Sequence, residues 1–98
     1  MNLQALMKQA QNMQKKVMVS KEEIEKKEYK GESELIDIVM NGKREVLSAK
    51  IKIDSIDKDD IEILQDMITI AVNDANKKIK KDIDEKLGNQ MGNFGNLF

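Results

Sequence analysis

The residues best suited to chemistry in this 98-residue chain are lysines, and they concentrate in two segments. Residues 7–16 combine lysine with glutamine and asparagine and contain no acidic residue, and residues 70–81 end in four lysines within five positions. Ammonium groups at this density pair with phosphates or other polyanions through charge. The six lysines selected as candidate anion contacts are Lys8, Lys15, Lys16, Lys77, Lys80 and Lys81.

The net charge of −1 hides an uneven distribution of charge along the chain. Residues 1–21 contain four lysines and no acid, whereas residues 22–37 contain seven acids against three lysines. Residues 38–53 carry +3, and residues 54–66 carry −5. Blocks of this kind can build a positive surface on an acidic protein. A lysine-rich surface that serves only solubility is the open alternative.

Composition argues against most catalytic and cofactor chemistry. The chain has no cysteine and no histidine, so disulfides, thiolate nucleophiles, imidazole bases and most transition-metal sites are excluded. We recognise no nucleophile–base pair and no phosphate loop, so we expect no enzyme, no cofactor and no small-molecule substrate. Apolar runs are far shorter than the roughly 20 residues that span a bilayer, and no secretory signal is visible. We therefore expect a cytoplasmic protein without a membrane partner.

Helical periodicity places the first lysine segment on an amphipathic helix over residues 2–27. Lys8 and Lys15 are seven residues apart and share a face, roughly 130° or more from the centre of the apolar stripe at about 100° per residue. The stripe recurs at three- and four-residue steps and consists of Leu3, Leu6, Met7, Ala10, Met13, Val17 and Ile24.

From residue 28 the pattern changes to the period of two that is typical of strands. Alternating apolar residues occur over 35–40 and 47–53, and residues 29–33 predict a shorter first strand. Asn41 and Gly42 between the two longer runs predict a type I′ hairpin, in which both residues have positive φ. Three strands cannot close into a barrel, so we expect an edge to be covered or paired.

An acidic segment and an apolar segment together predict the second helix. Asp57 can cap it, and the acids that follow favour its N-terminal turn. A metal site is the alternative for these acids, but they lack the glycine and distal glutamate of a calcium loop.

Eight of the twelve residues 61–72 are apolar and cover roughly 200° of a helical wheel, wider than one sheet face requires. A second subunit is the economical partner for the excess. The predicted dimer interface consists of Ile61, Ile63, Leu64, Met67, Ile68 and Ile70. We expect a single domain over residues 1–87 and a flexible Gly/Asn-rich tail over 88–98.

Three segments of the chain resemble the YbaB/EbfC family of nucleoid-associated proteins. They read MKQAQNMQKK at 7–16, IVMNGKREV at 38–46 and LQDMITIAVNDANKK at 64–78. The resemblance implies an α+β protomer with a long N-terminal helix, a three-stranded antiparallel sheet and a long C-terminal helix. It further implies a homodimer whose helical arms grip duplex DNA like tweezers, with residues 7–16 and 77–81 in the arm regions.

Together, the lysines and the resemblance predict a nucleoid protein that binds duplex DNA and affects nucleoid organisation, with gene expression as a possible further effect. Arg44 is the one arginine, and guanine reading commonly uses arginine, so we expect phosphate contacts with little sequence preference. Two alternatives stay open. One is a protein-binding adaptor that uses residues 61–72, and the other is a binder of RNA or of polyanions in general.

Overall fold

The chain folds as helix, three strands and helix, in the order that the sequence predicts. The computed structural model describes residues 2–88. Its elements are α1 (Leu3–Lys26), β1 (Glu28–Glu32), β2 (Ile36–Asn41), β3 (Val46–Ile51) and α2 (Asp60–Ile83), and a π-helical turn, Asp84–Gly88, continues α2. The predicted α+β fold class is confirmed. Of the predicted tail, residues 89–98 lie outside the described part of the chain.

Only the C-terminal half of α1 is anchored in the fold. Asn2 caps the helix, and its side-chain oxygen accepts a hydrogen bond from the Gln4 backbone N–H at 3.0 Å. Residues 3–16 are all exposed, and the buried residues of α1 are Val17 and Ile24. The predicted apolar stripe therefore faces solvent in the protomer over its first half, where Leu3 is 70% exposed.

The strands form an antiparallel sheet in the order β1-β2-β3. Tyr29 lies opposite Met40, and Ile38 lies between Gly31 on β1 and Ala49 on β3. Residues of β2 alternate between buried and half-buried, as the period of two predicts. All six residues of β3 are exposed. This strand thus leaves one edge and much apolar side-chain surface of the sheet uncovered in the protomer.

The β2–β3 turn differs from the predicted type I′ hairpin. Asn41 and Gly42 do not have positive φ, and the left-handed residue is Arg44 with φ 66°. The Asn41 carbonyl accepts from the Arg44 N–H at 3.0 Å, and its N–H donates to the Glu45 carbonyl at 3.1 Å. Its side-chain oxygen also accepts from the backbone N–H groups of Lys43 and Glu45. A three-residue loop that ends in a left-handed residue therefore replaces the two-residue loop.

Two glycines allow close approach between backbone segments. A Cβ at Gly42 would lie 1.9 Å from the Ile24 carbonyl oxygen, so the turn packs directly on the end of α1. A Cβ at Gly31 would lie 1.9 Å from the Ala71 carbonyl oxygen and 2.8 Å from the Ala75 Cβ. Gly31 thus seats β1 against α2, where both alanines are fully buried.

The start of α2 also differs from the prediction that Asp57 caps it. The N-cap position is Asp59, whose backbone is helical and whose side chain makes no capping hydrogen bond. Asp57 instead donates its backbone N–H to the Asp60 carboxylate at 3.0 Å, and its carbonyl accepts from the Asp60 N–H. A turn before the helix satisfies these groups, so the cap prediction for Asp57 is wrong although the acids lie at the helix start.

The core lies where α2 crosses β1 and β2, with α1 and the π-helical turn covering its far end. α2 runs antiparallel to β1, since Asp82 contacts Tyr29 while Asp74 contacts Glu32. The helix contributes residues on one face at helical spacing. These are Leu64, Ala71, Ala75, Ile79 and Ile83.

Gly31→Ala should lower stability, because the new methyl group meets backbone that side-chain motion cannot displace. We expect a loss of about 2 kcal/mol or more, measured by thermal unfolding at fixed protein concentration. Gly88→Ala is the matched control, since a Cβ there meets nothing within 4 Å. An equal effect of the two substitutions would contradict the tight contact between β1 and α2.

Candidate nucleic-acid interface

The α1 lysines lie on the exposed first half of the helix. Lys8, Lys15 and Lys16 lie on the stretch 3–16, which is exposed throughout and contains no acidic residue. None of the three makes an ion pair with any described residue. At a rise of 1.5 Å per residue, Lys8 and Lys15 are about 10 Å apart along the helix axis. This half of α1, residues 3–16, is termed the arm below.

The α2 lysines line shallow grooves, and Lys77 belongs to two of them, one of which it shares with Glu32 and Asp74. Lys77 and Lys80 line a groove of about 430 Å³ together with Arg44, Asn73 and Asn76. Lys81 lies in another depression, which it shares with Lys27, Lys78, Asp82 and other residues. None of these grooves includes the arm lysines. A structural explanation also exists for Lys80 and Lys81, because cations near a helix C-terminus are stabilised by its dipole.

Asp82, which lines the same depression as Lys81, pairs with two lysines. Its carboxylate pairs with Lys27 at 3.3 Å and Lys86 at 3.4 Å, and it accepts a hydrogen bond from the Tyr29 hydroxyl. Burial tends to raise the pKa of Asp82, but the hydrogen bonds from Tyr29 and Lys27 and the charge of Lys86 keep that pKa below its usual value. Lys27 and Lys86 are thus less available to an external anion.

Asp37 likewise pairs with two lysines, on the open face of the sheet. It pairs with Lys52 at 3.2 Å and Lys30 at 3.4 Å, and Lys52 also donates to the Ser33 carbonyl at 2.7 Å. Burial works to raise the pKa of Asp37, yet the ammonium groups of Lys52 and Lys30 beside it lower that pKa. Lys30 and Lys52 are thus also less available to an external anion.

Lys78 differs from its neighbours in the lysine cluster. Its ammonium donates to the Lys30 carbonyl at 2.6 Å and pairs with Asp74 at 3.3 Å. Asp74 also accepts from the Glu32 backbone N–H at 2.9 Å, the main reason that its pKa is lowered. Lys78 therefore ties α2 to β1, while Lys77, Lys80 and Lys81 make no ion pair within residues 2–88.

Much of the predicted dimer interface is exposed in the protomer. Leu64 is the exception, because it is buried in the core, and Met67 packs partly against the core. The other four residues are about half exposed, with values of 51% for Ile61, 46% for Ile63, 46% for Ile68 and 49% for Ile70.

Further surface features bear on which ligands the protein can take. Residues 2–88 contain no grouping of three or more histidines, cysteines or acids that could hold a metal ion. Over the same residues, no helix is both long and apolar enough to cross a bilayer.

The molecule measures 70 × 18 × 14 Å. This elongation leaves the lysine-bearing arm far from the acidic start of α2.

Comparison with known proteins identifies the type of protein to which these features belong. The model of the YbaB/EbfC DNA-binding family matches residues 1–94. The chain belongs to this family.

Among curated relatives, a nucleoid-associated protein of Lactococcus lactis subsp. lactis is 48% identical over 90 residues, which cover 90% of this chain and 91% of the relative. A nucleoid-associated protein of Enterococcus faecalis is 39% identical over 89% of this chain and 86% of its own length. A nucleoid-associated protein of Mycoplasmopsis pulmonis is 37% identical, with 89% and 90% covered.

In this family member, the fold places Arg44 beside the α2 lysines, which the spacing of residues in the sequence does not predict. Arg44 meets the α2 lysines across a separation of more than 30 positions, and its Nη1 donates to the Asn76 side-chain oxygen at 2.7 Å. The clustering of lysines predicts Lys77 and Lys80 as anion contacts, but it carries no information about a partner on a distant turn. The position of Arg44 two residues beyond an Asn-Gly pair is the one local signal.

The Tyr29–Asp82 contact predicts a stability plateau that falls at both extremes of pH. Burial and the Asp82 carboxylate raise the pKa of the Tyr29 hydroxyl well above its usual value. The raised pKa of Tyr29 contributes stability that is present below about pH 10 and is lost above it. The lowered pKa of Asp82 contributes stability that is present above about pH 4 and is lost below it.

Urea unfolding of wild type, Tyr29→Phe and Asp82→Asn across pH provides the measurement. Relative to wild type, the phenylalanine variant should lose less stability above pH 10, and the asparagine variant should lose less below pH 4. Parallel pH curves for all three proteins would refute this coupling.

Proposed function

We propose that this protein is a homodimeric, non-enzymatic nucleoid-associated protein that binds duplex DNA chiefly through lysine–phosphate contacts. Membership of the YbaB/EbfC DNA-binding family and the names of its relatives support DNA as the ligand and the nucleoid as the site of action. We propose as phosphate contacts the same six lysines that the sequence predicts. They are Lys8, Lys15, Lys16, Lys77, Lys80 and Lys81.

The observation that carries the proposal is the difference between paired and unpaired lysines. The lysines that pair with Asp37, Asp74 and Asp82 differ from the six predicted contact lysines, which have no ion-pair partner among residues 2–88. Other exposed lysines, such as Lys26 and Lys58, are unpaired too, but they lie outside the two lysine-rich segments. An unpaired ammonium on an exposed helix can neutralise a phosphate and release a counterion at little cost within the protein. Such contacts carry no base information, so little sequence preference follows.

The exposed apolar surface supports a homodimer. On a helical wheel Ile61 and Ile68 lie on the same side of α2 as the buried Ala75 and Ile79, yet both are exposed at the start of the helix. Ile63 and Ile70 lie roughly 100° or more to the other side of Leu64 and are exposed as well. All six residues of β3 are exposed as well, including Leu47 at 50%. Exposed apolar surface of this kind marks an interface, and a second copy that presents the same surface can cover it by two-fold symmetry.

The dimer can be tested with Ile68→Asp, which places a carboxylate in the proposed interface. Ile68 is 46% exposed in the protomer, so the variant should fold but sediment as a monomer, because a buried unpaired charge costs roughly several kcal/mol in the dimer. Thr69→Asp is the matched control, since residue 69 points away from the apolar stripes and should leave the dimer intact. Monomeric wild-type protein at micromolar concentration would refute the proposed assembly.

The DNA contacts can be tested with three variants that remove equal charge. One replaces Lys8, Lys15 and Lys16 with glutamine, and a second does the same to Lys77, Lys80 and Lys81. Both should weaken binding of unrelated duplexes about equally, and each lost contact should lower the slope of log affinity against log salt by about 0.9. Exposed substitutions change stability by about 0.5 kcal/mol or less, so the fold should survive.

The third variant replaces Lys26, Lys43 and Lys58, which are exposed and form no ion pair within residues 2–88. It removes the same charge from other surfaces and should retain most of the affinity and salt slope. Equal losses in all three variants would mean that total charge, rather than these six lysines, sets affinity. Loss of affinity for one sequence alone would indicate base reading instead.

The remaining alternatives are separated by competition and by sedimentation. Lysine–phosphate contacts do not by themselves distinguish DNA from RNA, so duplex DNA, duplex RNA and heparin should be compared as competitors. Preference for duplex DNA supports the proposal, and equal competition supports a general polyanion binder. An adaptor would need the apolar face of residues 61–72 to be free, which a tight homodimer prevents.

A further inference from the structure

The turn between β2 and β3 holds an arginine where the backbone favours glycine. Arg44 has φ 66°, and it is the sole non-glycine residue with positive φ among residues 2–88. A side chain in this left-handed conformation is disfavoured relative to glycine, and hairpins with this loop commonly use glycine there. An exposed residue kept in a disfavoured conformation indicates a role for its side chain.

The Arg44 side chain faces a groove that is basic and polar. The groove lies between the turn and the outer face of α2 and is lined by Arg44, Asn73, Asn76, Lys77 and Lys80. No acidic side chain belongs to this lining. The other two grooves that the α2 lysines line both contain acids. Asp82 and two glutamates contribute to one of them, and Asp74 and Glu32 contribute to the other, which shares Asn73 and Lys77 with the Arg44 groove. Of the three, the Arg44 groove is therefore the one suited to an anion.

The groove also provides directed donors. Asn76 accepts one hydrogen bond from Arg44 Nη1 at 2.7 Å, which orients the guanidinium across α2. A guanidinium has five N–H donors in a planar fork, so others stay available for a bidentate contact with phosphate oxygens. Lys77 and Lys80 are three residues apart on one helix face and supply flanking point charges.

We propose that this groove binds a backbone phosphate of the nucleic acid, with Arg44 as the bidentate ligand and Lys77 and Lys80 as flanking charges. Asn76 acts as a positioning residue for Arg44. The proposal rests on the DNA-binding function proposed above and adds a contact at the sheet end of the protomer, beside the turn that packs on the C-terminal end of α1. Duplex bound by the arm would then also meet the body of the protein.

The first test compares Arg44→Gln with Lys43→Gln in the full-length protein. Each removes one charge from the same exposed turn, but Lys43 does not line the groove. Arg44→Gln should weaken duplex binding about tenfold and lower the salt slope by about 0.9, while Lys43→Gln changes both far less. Arg44→Lys should recover part of the affinity, because it restores the charge without the fork. Equal effects of Arg44→Gln and Lys43→Gln overturn the proposal.

A second test uses Arg44→Gly, for which binding and stability should move in different directions. Glycine relieves the left-handed conformation, so the midpoint of thermal unfolding should not fall, while duplex affinity falls as in Arg44→Gln. A purely structural role through Asn76 would give the opposite pattern, with lower thermal stability and unchanged affinity. That pattern would also overturn the proposal.

The source of the phosphate can be distinguished by NMR on ¹⁵N-labelled protein. A short duplex should shift the side-chain signals of Arg44 and Asn76 to saturation, and inorganic phosphate at the same phosphate concentration should not. Saturation by inorganic phosphate would assign the groove to a free anion and refute a backbone contact. If the Lys8, Lys15 and Lys16 variant weakens binding but Arg44→Gln does not, this inference alone fails. If wild-type protein does not bind duplex DNA at all, the proposed function fails with it.

Discussion

The packing of α2 directly on β1 is the constraint on which the rest of the structure depends. Gly31 has no space for a side chain because the Ala71 carbonyl occupies it, and Ala71 and Ala75 bring the helix backbone close to the strand. This contact fixes the height and direction of α2 over the sheet. As a consequence, the outer face of α2 lies beside the β2–β3 turn, and Arg44 reaches Asn76. A bulkier β1 would separate these two parts of the candidate site.

The arm uses the same core in another way. None of residues 3–16 is buried, and isolated helices of this length are marginal in water. They are continuous with the part of α1 that Val17 and Ile24 anchor, so the costly nucleation step occurs in the core and the arm needs only propagation. The exposed stretch extends the helix by about 20 Å at 1.5 Å per residue. Reach is thus gained at the expense of local stability.

Sequence periodicity predicted the elements because their signals are local. The first helix, expected over residues 2–27, spans Leu3–Lys26, and the alternation in β2 matches its burial. The turn was mispredicted because Gly42 packs against the Ile24 carbonyl, and a contact between residues so far apart in the sequence leaves no local signal. The division of lysines into paired and unpaired ones was also hidden, because Lys78 contacts the Lys30 carbonyl, 48 residues away. Local patterns located the candidate site, and tertiary contacts decide which of its charges stay unpaired.

The pairing of charges explains how a protein of net charge −1 can present a surface for a polyanion. Asp37, Asp74 and Asp82 pair with lysines inside the protomer, so these acids do not repel a ligand at the arm. The unpaired acids at the start of α2 lie at the end of the helix that points away from α1. Over a molecule 70 Å long, charges at opposite ends are screened from each other, since the Debye length is about 8 Å at physiological salt. An approaching phosphate therefore responds to the local charge of the arm and the Arg44 groove rather than to the net charge of the chain.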